Sequence, residues 1–131
     1  MKIFVHDYAG HPFQVDLSRE LALRGHEVNH AYFHGDLGPK GKLAKSSLDP
    51  ESLSFTGVKL ARPYDKASFV QRRFDDVSYG KAVAELVQLG KPDIVISGNT
   101  PTEAQSAIVG ACKKNGSAFV FWVQDFYSIA V

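Results

Sequence analysis

At 131 residues and 44% hydrophobic content, the chain has material for one domain around one core and too little for two. Fifteen basic side chains against fourteen acidic ones leave no global field, which excludes electrostatic steering towards nucleic acid and confines charge arguments to local clusters. A single cysteine, Cys112, excludes an internal disulfide.

The start, MKIFVH, lacks the basic segment, long apolar stretch and small-residue cleavage site of a secretory signal, and no apolar run reaches the roughly 18 to 20 residues of a membrane helix. The expectation is a cytoplasmic protein. Residues 2–6 (KIFVH) predict a strand. Residues 12–24 follow with Phe13, Leu17 and Leu21 spaced by four, a helix with Pro12 in its first turn and Gly25 at a left-handed stop. EVNHAYF, residues 27–33, predicts a second strand, so the order opens β-α-β with a parallel pair and a right-handed crossover.

Residues 34–51 have no period and carry three glycines and two prolines, a long loop of the kind that is often functional. SLSFTGVKL, residues 52–60, predicts a third strand. A helix from about Ser68 to Leu89 places Val70, Phe74, Val77, Ala84 and Val87 on one face, with Gly80 as a candidate kink and Gly90-Lys91-Pro92 as the stop. DIVIS (93–97) and AFVFWV (118–123) are continuously apolar, as central parallel strands covered on both faces would be. Between them lies a helix over 101–114. Thr100 and Glu103 have capping-box spacing there, Pro101 stands at the first helical position, and Asn115-Gly116 ends it. Cys112, in AIVGACKK, is expected to be a packed thiol. The pattern predicts an α/β fold, an open doubly wound parallel sheet in three layers with strand order 3-2-1-4-5.

Ligands of such sheets bind outside the carboxyl ends of the strands, near the switch between strands 1 and 4. Three polar loops reach that edge: His6-Asp7-Tyr8-Ala9-Gly10-His11, Ser97-Gly98-Asn99-Thr100 and Gln124-Asp125-Phe126-Tyr127. Gly10 opens a helix whose free N–H groups can receive an anion, although GxGxxG is absent and a tight turn needs a small residue as well. His11 is either a donor or base towards a substrate or a solvated loop residue. His6 and His30 fall within strands and are expected to be packed. Asn99 is either a contact or part of a helix cap. Asp125, a carboxylate at a strand tip, suits sugar hydroxyls or an N-cap. The five histidines lack metal-site spacing, so no metal is implied.

Between Lys40 and Arg73 there are eight basic residues: Lys40, Lys42, Lys45, Lys59, Arg62, Lys66, Arg72 and Arg73. Interleaved with Leu43, Phe55, Tyr64 and Phe69, they suit an anionic lipid surface, a phosphate-linked acceptor or a merely solvated face.

KIFVHDYAGHPFQVDLSRELALRGHEV, then KPDIVISGNTP, then FVFWVQDFYS, taken in that order, resembles the N-terminal domain of GT-B glycosyltransferases, family 4 in particular. The resemblance covers almost the whole chain and implies a Rossmann-like domain that binds the acceptor. A separate C-terminal domain, absent from this chain, would bind the sugar-nucleotide donor. By position it implies Asp125 and His11 as catalytic candidates and Gly10, Tyr8, Asn99 and Gln124 as substrate contacts. Lys40, Lys42, Lys45, Arg72 and Arg73 are candidates for a membrane or anionic acceptor. Gln124 stands where the family often has His. The implied partners are a nucleotide-sugar and a glycan or lipid-linked acceptor, in polysaccharide or lipid-linked glycan synthesis, with no cofactor and no nucleic acid. On this reading the chain is the acceptor half of a longer enzyme, inactive alone. The alternative is a binding or membrane-docking subunit of a split transferase. A signalling receiver fits the length but lacks the acidic pair, the strand 3 Asp and the strand 5 Lys.

Overall fold

The computed structural model describes residues 1–35, 40–63 and 67–125. The elements are β1 (Lys2–Asp7), α1 (Pro12–Leu23), β2 (Glu27–Phe33), β3 (Leu53–Val58), α2 (Phe69–Gly90), β4 (Ile94–Ser97), α3 (Thr102–Asn115) and β5 (Ala118–Phe121). They form one parallel sheet in the order β3-β2-β1-β4-β5, so the predicted fold class and strand order hold. Alternation along each strand sends Phe4, Ala31, Phe33, Val58 and Val95 to the face covered by α2 and α3. Ile3, Val5, Val28 and Leu53 go to the face covered by α1. The order in which strands are added reverses between β1 and β4, which remain parallel, and their carboxyl ends carry the polar loops.

Helix punctuation follows the sequence in most places. Pro12 opens α1, Gly25 takes φ +91° just past it, and α2 starts at Ser68, whose hydroxyl accepts from the Gln71 N–H at 3.3 Å. At the far end of α2 the left-handed residue is Lys91, φ 45°. Cys112 is buried as a free thiol whose pKa is pushed up by that burial. Among the described residues no helix is long and apolar enough to cross a membrane.

Five expectations change. The third strand is shorter than its apolar run, ending at Val58. Thr100 does not cap α3: the helix begins one residue late, so Pro101 becomes the N-cap with no side-chain bond, and Thr100 lies a position too far back. Gly80 does not kink α2, which runs unbroken past it; there the helix touches α3, and an added Cβ would lie 2.6 Å from Ala104 Cα. The buried face of α2 is Asp75, Tyr79, Gly80, Val83, Ala84 and Val87, whereas Val70 and Phe74 are 65% and 64% exposed. Its first two turns carry Phe69, Val70 and Phe74 out into solvent. The fifth strand is also not central. Among the described residues β5 is an edge strand, paired with β4 over Ala118–Phe121, with Val120 and Phe121 about half exposed.

Candidate active site at the strand tips

Asp7 ends β1, and its side chain is fully buried. A buried carboxylate needs donors, and the turn into α1 supplies them. The His11 N–H donates to Oδ2, and His11 Nδ1 stands 3.0 Å from Oδ1. Burial pushes the Asp7 carboxyl up, against the lowering pull of these His11 bonds. With Asp7 ionised, the His11 proton resides on Nδ1 and Nε2 is left as an acceptor with no hydrogen-bond partner among the described residues. The His11 ring stacks on Phe13 at 5.2 Å, and its side chain stays 32% exposed. An imidazole held in one tautomer by a carboxylate and part-exposed in this way has the chemistry to accept a proton at Nε2.

The sequence singles out His11 but not Asp7 or Gln14. Their positions, 7, 11 and 14, have the spacing of one helical face, and that was the available signal. Gly10 is the turn glycine: its φ is +75°, its N–H reaches the Asp7 carbonyl at 3.3 Å, and a Cβ would lie 2.8 Å from Leu43 Cδ1. The N–H of His11, at the entrance to α1, is taken by the chain's own Asp7. The expected seat for an outside anion is therefore filled from within.

The other two loops close on this one. The side-chain amides of Gln124 and Gln14 approach to 2.5 Å, and the Gln124 N–H points to Asn99 Oδ1 at 3.4 Å. Asn99 Nδ2 donates to Asp125 Oδ2 at 3.4 Å. Asp125 itself is exposed, beyond the end of β5. Beneath them His6 is buried between Tyr79 Oη at 2.7 Å and Ser97 Oγ at 2.9 Å, packed as expected, as is His30 against Ser18 Oγ at 2.7 Å.

On the α2/α3 side of the same edge a cavity of about 630 Å³ opens, lined by Tyr8, Phe69, Arg72, Arg73, Asn99 and Glu103 among others. That volume is in the range of small-molecule sites. Arg72 stacks over Phe69 at 5.7 Å, and Arg73 faces Glu103 at 3.9 Å. Tyr8 stacks on Phe33 at 5.1 Å and meets Tyr79 edge-on at 5.0 Å. The basic residues do not share one face. Lys40 Nζ donates to the Phe33 carbonyl at 3.2 Å and lies over Tyr32. Lys42 and Lys45 lie in the connection that Arg19 of α1 pins, by donating to the Lys42 and Ala44 carbonyls. Arg72 and Arg73 belong to α2, across the sheet. Tyr64, Lys66, Phe126 and Tyr127 lie outside the described residues. Among the described residues no three His, Cys, Asp or Glu side chains converge to hold a metal.

No protein-family model matches the chain, and no curated protein matches it in sequence. Solved structures do. The chain is similar to the C-terminal domain (residues 78–226) of PF1911 hydrogenase from Pyrococcus furiosus, at 18% identity and TM-score 0.63, covering 92% of this chain and 89% of that one. It is similar to Phytolacca americana UGT2 complexed with UDP-2fluoro-glucose and pterostilbene, a GT-B glycosyltransferase, at 15% identity and TM-score 0.57, over 93% of this chain and 30% of that one. It is similar also to CobK precorrin-6A reductase, at 15% identity and TM-score 0.50, over 95% and 39% of the two chains. At such identities the likeness is one of fold, a Rossmann-like α/β domain used by enzymes of several chemistries.

Proposed function

We propose that this chain is the acceptor-binding part of a sugar-nucleotide-dependent glycosyltransferase of the GT-B kind. Polysaccharide or lipid-linked glycan synthesis is its setting, and family 4 membership rests on the order of motifs alone. The observation that carries the reading is the Asp7–His11 pair at the switch point, with Nε2 open, at the same strand edge where a cavity opens on the α2/α3 side. An acceptor hydroxyl at Nε2 gives up its proton to His11 as its oxygen bonds to the anomeric carbon. The sugar–phosphate bond breaks and the nucleoside diphosphate leaves. Asp7 stabilises the imidazolium that forms. The cavity, with Phe69 and Tyr8 as platforms and Arg72, Arg73 and Asn99 as polar contacts, seats the acceptor. The fold of UGT2 supports the reading at the level of architecture.

The test is transfer of radiolabelled sugar from nucleotide-sugars to glycan acceptors by the protein that carries this chain. Wild type is compared with His11→Ala. The expected loss in kcat is about 10²- to 10⁴-fold with the KM for donor unchanged. Full kcat in His11→Ala, or turnover of a nicotinamide cofactor with no sugar transfer, overturns it.

A second reading, a membrane-docking module, is favoured by one observation: Val70 and Phe74 stand out in solvent beside Arg72 and Arg73 on α2.

A further inference from the structure

Gln14 is a fully buried amide in the first turn of α1, where a surface helix residue would be expected from its type. One atom position of that amide lies 2.5 Å from the Gln124 amide and 3.0 and 3.3 Å from the two Asp7 carboxylate oxygens. An oxygen there would face a carboxylate, so the position belongs to the Gln14 nitrogen. Its two hydrogens then serve Asp7 and the Gln124 carbonyl oxygen. The bridge crosses Gly98. A Cβ at that residue would lie 2.6 Å from the Gln124 amide and 2.6 and 2.8 Å from the Gln14 amide atoms. The tip of β5 is fixed on its other side as well, because the Trp122 N–H donates to the Ser97 carbonyl at 2.8 Å. Three loops from β1, β4 and β5 thus meet at one buried amide.

We propose that Gln14 is a positioning residue: bridged to Gln124 across Gly98, its amide fixes the Asp7 carboxylate so that His11 holds Nε2 outward, and it ties that pair to the tip of β5. The proposal rests on the reading of Asp7 and His11 as the working pair. Its geometry is testable without any sugar. The groups that act on Asp7 are the His11 imidazole and N–H, the Gly10 N–H, the Gln14 amide from α1 and, through charge alone, the Tyr79 hydroxyl from α2. Removing the Gln14 donor leaves a buried carboxylate one hydrogen bond short, and its proton affinity then rises further. Once Asp7 holds a proton it no longer accepts from both His11 nitrogens, and the imidazole loses its fixed tautomer.

The experiment follows the Asp7 side-chain carboxyl carbon and the Gln124 side-chain amide by NMR through a pH titration, in wild type, Gln14→Met and Gln124→Met. In Gln14→Met the Asp7 midpoint is expected to move up by about one unit or more, with the Gln124 amide signals moving to solvent-exposed positions. In Gln124→Met, at a side chain only part-buried and therefore expected to be tolerated by the fold, the midpoint is expected to move the same way by less. An Asp7 midpoint unmoved in both folded variants overturns the positioning role. A moved midpoint with undiminished kcat for sugar transfer keeps the bridge and overturns the proposed function instead.

Discussion

Two buried histidines, His6 and His30, are kept neutral by their burial, and this sets the protein's response to acid. Ser97 Oγ donates to Gln105 Oε1 at 3.1 Å, so it accepts from His6 Nδ1–H, and His6 Nε2 accepts from the Tyr79 hydroxyl. Burial, with a smaller contribution from His30, holds His6 down to about 3; burial, then Arg19, holds His30 down to about 4. An unfolded histidine takes up its proton near 6.5, and these two do not. The unfolded state therefore binds more protons as pH falls through 6.5, so stability is full above that pH and lost below it, down towards pH 4. Asp7, raised by burial, acts in the opposite sense and subtracts from the slope at its acidic end. Urea unfolding between pH 7.5 and 5.0 is expected to show a slope approaching two protons, about 2.7 kcal/mol per pH unit at its steepest. In His30→Leu the slope halves; a stability flat with pH contradicts the assignment. That His6 and His30 are packed is legible in the sequence, since both lie inside apolar runs. The partners of His11 are not legible in the same way. Asp7 ends a strand and Gln14 starts a helix, and only the turn between them, with Gly10 at positive φ, shows that they meet.

Elements were easier to read than contacts between elements. The alternation of apolar runs with Gly and Pro stops gives every strand and helix and their order, because those signals are local. The capping box misleads because the same Thr-Pro sequence allows a helix start one residue later. The face of α2 misleads because Val70 and Phe74 keep a helical spacing where, among the described residues, the helix has no partner to bury them. Gly80 is the case where the partner decides. Its hydrogen-only surface lets the α2 backbone approach Ala104 of α3, and any Cβ there meets backbone, which cannot swing aside. Gly80→Ala is expected to destabilise by roughly 1 to 3 kcal/mol despite its better helix propensity. Gly110, in α3 with nothing within 4 Å of an added Cβ, is the control. Gly110→Ala is expected to stabilise by about 0.4 to 1 kcal/mol. Both values come from chemical unfolding, and equal effects at the two sites would remove the packing argument.

For the molecule as a whole, the long helix and the short strands do not match in length, and the mismatch creates a surface. α2 runs for 22 residues while β4 and β5 have four each, so the first turns of α2 reach beyond the sheet over the strand tips. Phe69, Arg72 and Arg73 line the open mouth of the cavity, Phe69 staying largely exposed there, and Val70 and Phe74 lie outside it. Apolar side chains beside guanidinium groups suit the boundary between headgroups and acyl chains, where the apolar part is buried and the cation meets anionic lipid. If the acceptor is lipid-linked, the same overhang brings the cavity mouth to the membrane. Co-sedimentation with vesicles containing phosphatidylglycerol is expected to exceed that with neutral phosphatidylcholine vesicles and to fall with salt. The double variant Val70→Ser and Phe74→Ser, at side chains about two-thirds exposed, is expected to lose the binding without loss of fold. Binding that survives the double variant, or that is equal on neutral and anionic vesicles, assigns the surface to something other than an anionic membrane.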